Sequence, residues 1–281
     1  NTISQTDLIV GSRTGSVQLL LYSIFRIGNA TNNITWESYQ DIIEKDEVEW
    51  AVPISLGDSH KGYRVMGTNK DFFKHYKYRG NKSLVIKDGK YFSDLYDVVL
   101  GFGVAEKLDY QINSSIIVSH GLKSFTDHDD QPFKVSGILA KTGTPVDNTI
   151  IVSLKAIEAI HVDWSSGAKI PGQVTPIDEI RKMDLATSNI TAVLLGIKSK
   201  LKIFQLQRWI NEYPEEALTA ILPGVALQEL WRIVGVVENI LLGISFVVIL
   251  TTLMGMAAIV LSSLNERRRE MAIWRAMGAS P

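Results

Sequence analysis

The chain has 281 residues, of which 46% are hydrophobic and 21% are charged, so it can bury the core of one or two folded domains. Its 29 lysine and arginine residues are balanced by 30 aspartate and glutamate residues, which excludes the basic excess expected of a protein that binds nucleic acid. Cysteine is absent, which excludes disulfide scaffolds, thiolate zinc sites, iron–sulfur clusters and cysteine nucleophiles. The composition therefore favours a globular protein whose partners are not nucleic acids.

Residues 1–224 begin and end with a mixture of strands and helices. Early in the chain, the sequence predicts a strand at residues 6–10, a helix capped by Thr35 at 34–44 and a loop-rich hairpin at 50–66, whose loop is at 57–62. Later it predicts a strand, a helix and a strand, at residues 190–197, 201–211 and 217–222. This mixture indicates an α+β domain with a βαβ core.

Short strands separated by polar turns fill the middle of the same region and indicate a β-rich lobe inserted into the α+β domain. These strands are predicted at residues 97–100, 116–119, 133–139 and 149–153. An irregular, glycine- and proline-rich loop is predicted at residues 162–184. The resulting boundaries are 1–83 and 156–224 for the two parts of the α+β lobe, and 84–155 for the inserted lobe.

Two loops carry residues that could do chemistry, and each also has a plainer interpretation. His60 lies near Asp58 and is either half of a catalytic pair or an ordinary surface histidine. A second group could ligate zinc or form a solvated polar loop, and it contains His120, Asp127, His128, Asp129 and Asp130. We favour the solvated loop because no fixed spacing brings three ligands together.

The turn Gly101-Phe102-Gly103 follows a strand and precedes a short helix, as a dinucleotide-binding loop does. The third glycine of that fingerprint is replaced by Glu106 and the helix is too short, so we interpret the turn as a plain strand-to-helix connection. The chain also lacks the motifs of P-loops, zinc proteases and nucleophile elbows. We therefore predict no catalytic, cofactor-binding or metal-binding residue, and a protein that is not an enzyme.

Residues 240–264 form an apolar run without a charged side chain. As a helix this run is about 37 Å long, which exceeds the roughly 30 Å of a bilayer's hydrocarbon core, so we predict a transmembrane helix. The arginines at 267–269 follow the run directly and lie in the cytoplasm by the positive-inside rule. The bulk of the chain then lies in the periplasm or outside the cell. An outer domain without cysteine suits a bacterial periplasm or cell surface better than a secreted eukaryotic module, so we predict a protein of the bacterial inner (plasma) membrane.

Helical periodicity begins well before the apolar run. The chain breaks at Pro223-Gly224, and apolar residues then recur at helical spacing. A helix over residues 225–264 is about 60 Å long, twice the hydrocarbon thickness, so we predict a stalk at 225–239 that joins the outer domain to the transmembrane helix at 240–264. The alternative is a helix kinked at one of its glycines, Gly235 or Gly243.

Small residues recur at spacings of four, three and four within the apolar run, which places them on one face of the helix. They are Thr251, Gly255, Ala258 and Ser262. Because such strips allow the backbones of two helices to approach closely, we predict that this face packs against other membrane helices.

Residues 265–281 predict a short cytoplasmic helix that ends at Gly278, with Pro281 preventing its continuation. Its large apolar side chains fall within half of the helix circumference, and they are Met271, Ile273, Trp274 and Met277. One interpretation is an arginine anchor at the lipid headgroups. That interpretation explains the arginines but not an exposed tryptophan and two methionines, which are typical of a surface that binds a partner protein.

The sequence of residues 266–281, ERRREMAIWRAMGASP, closely resembles the cytoplasmic coupling segment of the FtsX-like permease family of ABC transporters. Four outer segments are similar to the MacB-like periplasmic core domain of such permeases: DLIVGSRTGSVQLLL, PISLGDSHKGYRVMGT, VVLGFGVAEKL and FKVSGILAKTGTPVDNTIIVSL. Together the resemblance covers nearly the whole chain. It implies that the α+β lobe is the porter-like lobe of that domain and that the inserted β-rich lobe is its sabre-like lobe.

The resemblance implies a permease that dimerises, has four membrane helices in each copy and works by mechanotransmission. ATP binds to a separate or fused nucleotide-binding domain, so this chain holds no cofactor itself, and the motion passes through the coupling segment and stalk to the outer domain. Carried over by position, the ATPase contact consists of Glu266, Arg267, Arg268, Arg269, Glu270, Met271, Trp274 and Gly278. The implied partners are an ABC nucleotide-binding subunit, a second permease copy, the lipid membrane, and a periplasmic adaptor or lipoprotein.

This chain shows one membrane helix where the family has four, so we expect it to be a fragment of a longer permease. Two other functions remain open. One is a single-pass receptor whose outer domain binds a ligand and whose tail recruits a cytoplasmic partner. The other is a membrane-tethered hydrolase that uses His60 or His128.

Overall fold

The computed structural model describes residues 5–121, 131–165, 168–170 and 175–278, which divide into two units, Asn1–Leu227 and Gln228–Pro281. The strands are β1 (Leu8–Ser12), β2 (Ile34–Thr35), β3 (Val48–His60), β4 (Tyr63–Thr68), β5 (Lys77–Tyr78), β6 (Lys82–Ser83), β7 (Ile86–Gly89), β8 (Asp97–Leu100), β9 (Ser115–Ile116), β10 (Ser119–His120), β11 (Phe133–Leu139), β12 (Thr149–Ser153), β13 (Trp164–Ser165), β14 (Ala168–Lys169), β15 (Asn189–Ile190), β16 (Ala192–Ile197) and β17 (Leu218–Ile221). The helices are α1 (Ser16–Leu20, continued by a π-helical turn at Leu21–Phe25), α2 (Trp36–Ile43), α3 (Asp71–His75), α4 (Phe102–Leu108), α5 (Leu154–Ile160), α6 (Ile177–Ile180), α7 (Ile203–Asn211) and α8 (Pro223–Ala276), with 3₁₀ turns at Pro145–Asn148 and Lys200–Lys202.

One mixed sheet of eleven described strands forms the framework of the first unit. Its strand order is β17-β1-β16-β3-β4-β12-β8-β11-β7, with β10 paired to β3 and β9 paired to β11. Neighbouring strands are antiparallel except β4 with β12 and β8 with β11. The half from β17 to β4 comes from both ends of the unit, and the half from β12 to β7 comes from the chain between them. The predicted α+β class is confirmed, whereas the predicted lobe boundaries at residues 84 and 155 stay predictions.

Helices cover both faces of the sheet, so its central strands are buried on two sides. All residues of β1 are buried. Ile9 belongs to the apolar cluster that includes Leu19 of α1, whereas Leu8 and Val10 belong to the cluster that includes Ile42 of α2. Because side chains alternate across a strand, burial of both faces makes the strand continuously apolar.

The predicted elements differ from the observed ones mainly at their ends. The helix capped by Thr35 is α2, and the Thr35 Oγ1 accepts a hydrogen bond from the Ser38 amide at 3.3 Å. The strand predicted at 116–119 is wrong, because β9 and β10 are separate short strands that pair with different neighbours. The segment predicted as an irregular loop, 162–184, contains β13, β14 and α6. Within it, residues 166–167 and 171–174 lie outside the described part.

The predicted six-residue hairpin loop at 57–62 is wrong, since β3 runs on to His60 and only Lys61 and Gly62 separate it from β4. These two residues have φ values of 47° and 83°. A two-residue turn with both φ values positive matches the right-handed twist of the strands that it joins. The polar side chains that suggested a loop, at 58–60, are buried strand residues.

Helix α8 is unbroken over 54 residues, which corresponds to about 80 Å of helix. It begins before the apolar run, as the stalk prediction requires, and it continues without a break through Gly235 and Gly243. The prediction of a separate short helix at 265–281 is wrong in one respect, because no break follows Leu264 and the same helix extends to Ala276. The glutamate and arginine residues at 266–270 are good helix formers, and no glycine or proline lies between Leu264 and Ala276, so nothing local ends the helix there.

The turn between β3 and β4 allows a test of backbone strain. Gly62→Ala places a Cβ on a residue with φ of 83°, and nothing lies within 4 Å of that Cβ, so the cost comes from the backbone alone. We expect the free energy of unfolding to fall by about 1–2 kcal/mol, measured by urea unfolding of the protein in detergent. The matched control is Gly57→Ala in β3, where the Cβ also has room, and it should cost almost nothing. Equal losses in the two variants would contradict the assignment of the turn.

Candidate functional site

The first turn of α8 is built into the core of the first unit. Ala226 is 1% exposed, and Leu227 packs against the cluster that contains Ile221 of β17. The Ala226 amide donates a hydrogen bond to the Leu222 carbonyl at 3.0 Å. Pro223 suits the start of a helix, because its missing N–H would have no partner there. The helix start is therefore fixed by packing as well as by sequence, and the packing role of Ala226 was not predicted.

The apolar stretch of α8, residues 240–264, keeps its large side chains exposed, and Phe246, for example, is 68% exposed. In the described part of the chain, α8 alone is long and apolar enough to cross a membrane. Two of its hydroxyls are paired within the helix, since Thr251 and Thr252 donate to the Val248 carbonyl at 3.0 and 2.7 Å. An uncharged surface with internally paired polar groups suits a hydrocarbon environment.

Small residues line one face of this stretch. They are Thr251, Gly255, Ala258 and Ser262. At about 100° per residue, their positions span roughly 60° around the helix axis. A Cβ added at Gly255 would have no atom within 4 Å. The predicted strip is thus a continuous surface on an unbroken helix, and the packing of another helix against it stays a prediction.

The end of α8 carries the predicted coupling residues. Six of them follow one another within the helix, soon after the apolar stretch: Glu266, Arg267, Arg268, Arg269, Glu270 and Met271. Trp274 lies in the last turn of the helix, and Gly278 lies just beyond its end. Trp274 and Met277 are 62% and 70% exposed. Gly278 has a φ of 92°, which is typical of the residue that ends a helix. The structure brings these residues together on one element, and their contact with an ATPase stays a prediction.

The charged and apolar residues at this end are not evenly distributed around the helix. The large apolar side chains are Met271, Ile273, Trp274 and Met277. At about 100° per residue, their positions span an arc of roughly 160° around the helix axis. All four are more than half exposed. An apolar arc of this size, presented next to three arginines, is suited to contact with a protein surface.

His60 is a buried strand residue that is 6% exposed. Its Nδ1 lies 2.5 Å from the Ile117 carbonyl oxygen, to which it donates, and its Nε2 lies 2.8 Å from the Tyr110 hydroxyl. The neighbouring Asp58 faces another histidine, with its Oδ1 3.6 Å from the His161 Nε2. Both ring nitrogens of His60 therefore make hydrogen bonds within the fold, which is the geometry of a histidine with a structural role.

The predicted group of histidines and aspartates lies mostly outside the described residues. Outside are Asp127, His128, Asp129 and Asp130, whereas His120 belongs to β10. Within the described residues, no three His, Cys, Asp or Glu side chains lie close enough together to hold a metal ion.

The glycine turn before α4 has a packing explanation. A Cβ added at Gly101 would lie 2.1 Å from the Val146 carbonyl oxygen, so only glycine allows this close approach of two backbone segments. The helix that follows has seven residues, and the chain reaches it directly from β8. The turn is a strand-to-helix connection, as the sequence predicts.

Comparison with known proteins identifies a family. Residues 2–193 match the family model of the MacB-like periplasmic core domain. The periplasmic region of MacB from Actinobacillus actinomycetemcomitans aligns with a TM-score of 0.48 and 11% identity, over 82% of this chain and 94% of that one. The extracellular domain of the ABC-type transporter YknZ from Gram-positive bacteria aligns with a TM-score of 0.41 and 16% identity, over 77% and 99% of the two chains. Comparison with curated protein sequences gives no match.

The structural role of His60 can be tested at its hydroxyl partner. Tyr110→Phe leaves the His60 Nε2 without that hydrogen bond, so we expect the free energy of unfolding to fall by about 1 kcal/mol in urea denaturation. The control is Tyr91→Phe, because the Tyr91 hydroxyl lies 3.5 Å from the Leu84 carbonyl and makes at most a weak bond. A Tyr110→Phe variant as stable as the control would contradict this role.

Proposed function

Because this chain belongs to the MacB-like periplasmic core domain family, a domain of ABC-type transporter permeases, we propose that it couples ATP hydrolysis in the cytoplasm to a conformational change of its outer domain. In this proposal the chain comprises the periplasmic domain, stalk, one membrane helix and coupling end of an inner-membrane permease that acts in export by mechanotransmission. ATP is bound and hydrolysed by a nucleotide-binding subunit. The chain itself is not an enzyme and holds no cofactor.

The observation that carries this proposal is the continuity of α8. One helix of 54 residues starts in the core beneath the outer sheet, passes through the apolar stretch and ends at the arginine-rich segment. Backbone hydrogen bonds run through the helix without a break, so a displacement at one end is resisted along its whole length. A membrane-tethered hydrolase needs only an anchor and gains nothing from such continuity.

The residues after the apolar stretch support a contact with the ATPase. Arg267, Arg268 and Arg269 place three positive charges directly after the apolar stretch, which favours the cytoplasmic side. Trp274 and Met277 are largely exposed, and such side chains are enriched in the centres of protein interfaces. A headgroup anchor would use the arginines and leave these apolar side chains without a role.

The strip of small residues supports a second helix partner in the membrane. We propose that Gly255 and Ala258 lie at a close contact with another membrane helix, either of a second permease copy or of the same permease. A periplasmic adaptor or a lipoprotein is a further proposed partner of the outer domain, and its identity depends on the substrate.

The coupling contact is tested by Trp274→Ala in the full-length permease. We expect the amount of co-purifying nucleotide-binding subunit to fall about tenfold or more, with loss of ATPase stimulation, because a buried interface tryptophan contributes strongly to binding. Simultaneous charge reversal of Arg267, Arg268 and Arg269 should have the same effect. The matched control is Trp231→Ala in the stalk, where the side chain is 65% exposed, and it should bind normally. Unchanged co-purification of all variants would favour the single-pass receptor.

The packing of the small-residue strip is tested by Gly255→Ile. A large side chain on this face should separate the helices, so we expect the full-length permease in detergent to lose its assembled state at a lower temperature, measured by size-exclusion chromatography after heating. The matched control is Ala257→Ile, because Ala257 lies in the same apolar stretch but about 100° or more around the helix from every residue of the strip. The strip has no packing role if both variants dissociate at the same temperature.

A further inference from the structure

The parallel strands β4 and β12 lie side by side in the sheet, and the helices that follow them pack on opposite faces. Phe72 of α3, the helix after β4, belongs to the apolar cluster that contains Met66 of β4. Ala156 of α5, the helix after β12, belongs to the cluster that contains Val65 of β4. Met66 and Val65 are adjacent in one strand, so their side chains lie on opposite faces. The carboxyl ends of β4 and β12 therefore form a crevice of the kind in which α/β sheets bind ligands.

Two neighbouring cavities, of about 410 and 350 Å³, lie at this crevice. The larger one is lined by Thr68, the last residue of β4, and both are lined by Ser153, the last residue of β12. Because they share five lining residues, the two cavities form one groove: Lys70, Phe92, Ser153, Lys155 and Leu185. A groove of this size can hold a small molecule.

The larger cavity presents apolar side chains that the fold holds in place. Phe92, Leu154 and Leu185 line it and are 5%, 8% and 9% exposed, so packing against the core fixes their positions. Trp36 completes this wall, and its ring lies 4.5 Å from the ring of Tyr39. Aromatic and aliphatic groups of this kind bind the apolar part of a ligand.

Two lysines provide positive charge in the wall that the two cavities share. Lys70 caps the start of α3, and Lys155 lies in the first turn of α5. Both side chains are exposed, and neither forms an ion pair with a described carboxylate. A positive charge at the start of a helix is unfavourable, because the helix dipole is positive there. Helix stability therefore does not explain why both positions are lysine.

The remaining charges of the groove do not cancel those of the lysines. Arg181 is already paired, since its Nη1 and Nη2 donate to the two carboxylate oxygens of Asp94 at 2.6 and 2.8 Å. Asp184 is the one other carboxylate among the described lining residues. Three positive and two negative side chains leave the described lining with a net charge of +1. The groove therefore favours an anion over a cation.

A separate cavity beside residues 28–33 offers less to a ligand. It has a volume of about 300 Å³ and is lined by Tyr22, Asn29 and Arg64. The Arg64 Nη2 donates to the Gly28 carbonyl and to the Asn29 Oδ1, so this guanidinium already has partners within the fold. We assign no ligand to it.

We propose that the groove at the carboxyl ends of β4 and β12 binds a small amphipathic carboxylate from the outer compartment. Its apolar body lies against Trp36, Phe92 and Leu185, and its carboxylate is bound by Lys70 and Lys155. The apolar wall excludes a purely polar anion, and the two lysines favour the carboxylate over a neutral amphiphile. The groove belongs to the first unit alone, so binding there does not depend on the proposed coupling through α8.

The ligand class is tested by isothermal titration calorimetry of the full-length protein in detergent, with the heat of titration into detergent alone subtracted. The probes are octanoate, octanamide, which has the same chain without the charge, and acetate, which has the charge without the chain. We expect octanoate to bind about tenfold or more tightly than either of the others, because it alone uses both the apolar wall and the lysines.

The lysines are tested by the double variant Lys70→Gln with Lys155→Gln, which should weaken octanoate binding about tenfold, because two exposed charge contacts are lost. The matched control is Lys74→Gln with Lys182→Gln, since both of these lysines are exposed, lie outside the groove lining and remove the same charge. The control should bind octanoate as the unaltered protein does. The proposal is wrong if octanoate does not bind, if octanamide or acetate binds as tightly, or if the two double variants bind octanoate equally.

Discussion

The burial of Ala226 in the core beneath the outer sheet is the constraint on which the rest of the structure depends. Because Ala226 is almost inaccessible and Leu227 packs beside it, the first turn of α8 belongs to the folded outer domain. From that turn the backbone hydrogen bonds continue to Ala276. The proposed function needs this arrangement, since a flexible joint between the sheet and the helix would absorb any motion before it reached the outer domain.

The helices that the sequence predicts best have either one consistently apolar face or one long uncharged run. Helix α2 has a capping threonine at Thr35 and an apolar face, and α8 has a long uncharged run, so both are visible in the sequence. The turn after β3 was mispredicted because the polar residues 58–60 are buried partly by β10, a contact with residues about sixty positions later. Helix α1 was not predicted, because it is short and continues as a π-helical turn whose spacing departs from 3.6 residues.

The coupling end of α8 and the cavity beside residues 28–33 differ in how easily the sequence alone reveals them. The coupling end of α8 is a single consecutive segment, so its arginines and its apolar arc could be identified from the sequence alone. The cavity beside residues 28–33 is lined by Tyr22, Asn29 and Arg64 from separate segments, which only folding brings together. Its one local signal is Arg64 itself, a charged and buried residue of β4 that forms no ion pair with any carboxylate in the described part of the chain. Family resemblance identified the coupling segment and provided nothing about the cavity.

The claim that α8 links an outer domain to a cytoplasmic end is tested most directly by labelling from one side of the membrane. The chain has no cysteine, so Lys87→Cys in the outer domain and Arg268→Cys after the apolar stretch each introduce a unique thiol, once any cysteine outside these 281 residues has been removed. In intact spheroplasts, a membrane-impermeant maleimide should label the first thiol quickly and the second only after the membrane is permeabilised. Equal labelling of both thiols in intact spheroplasts would contradict the account.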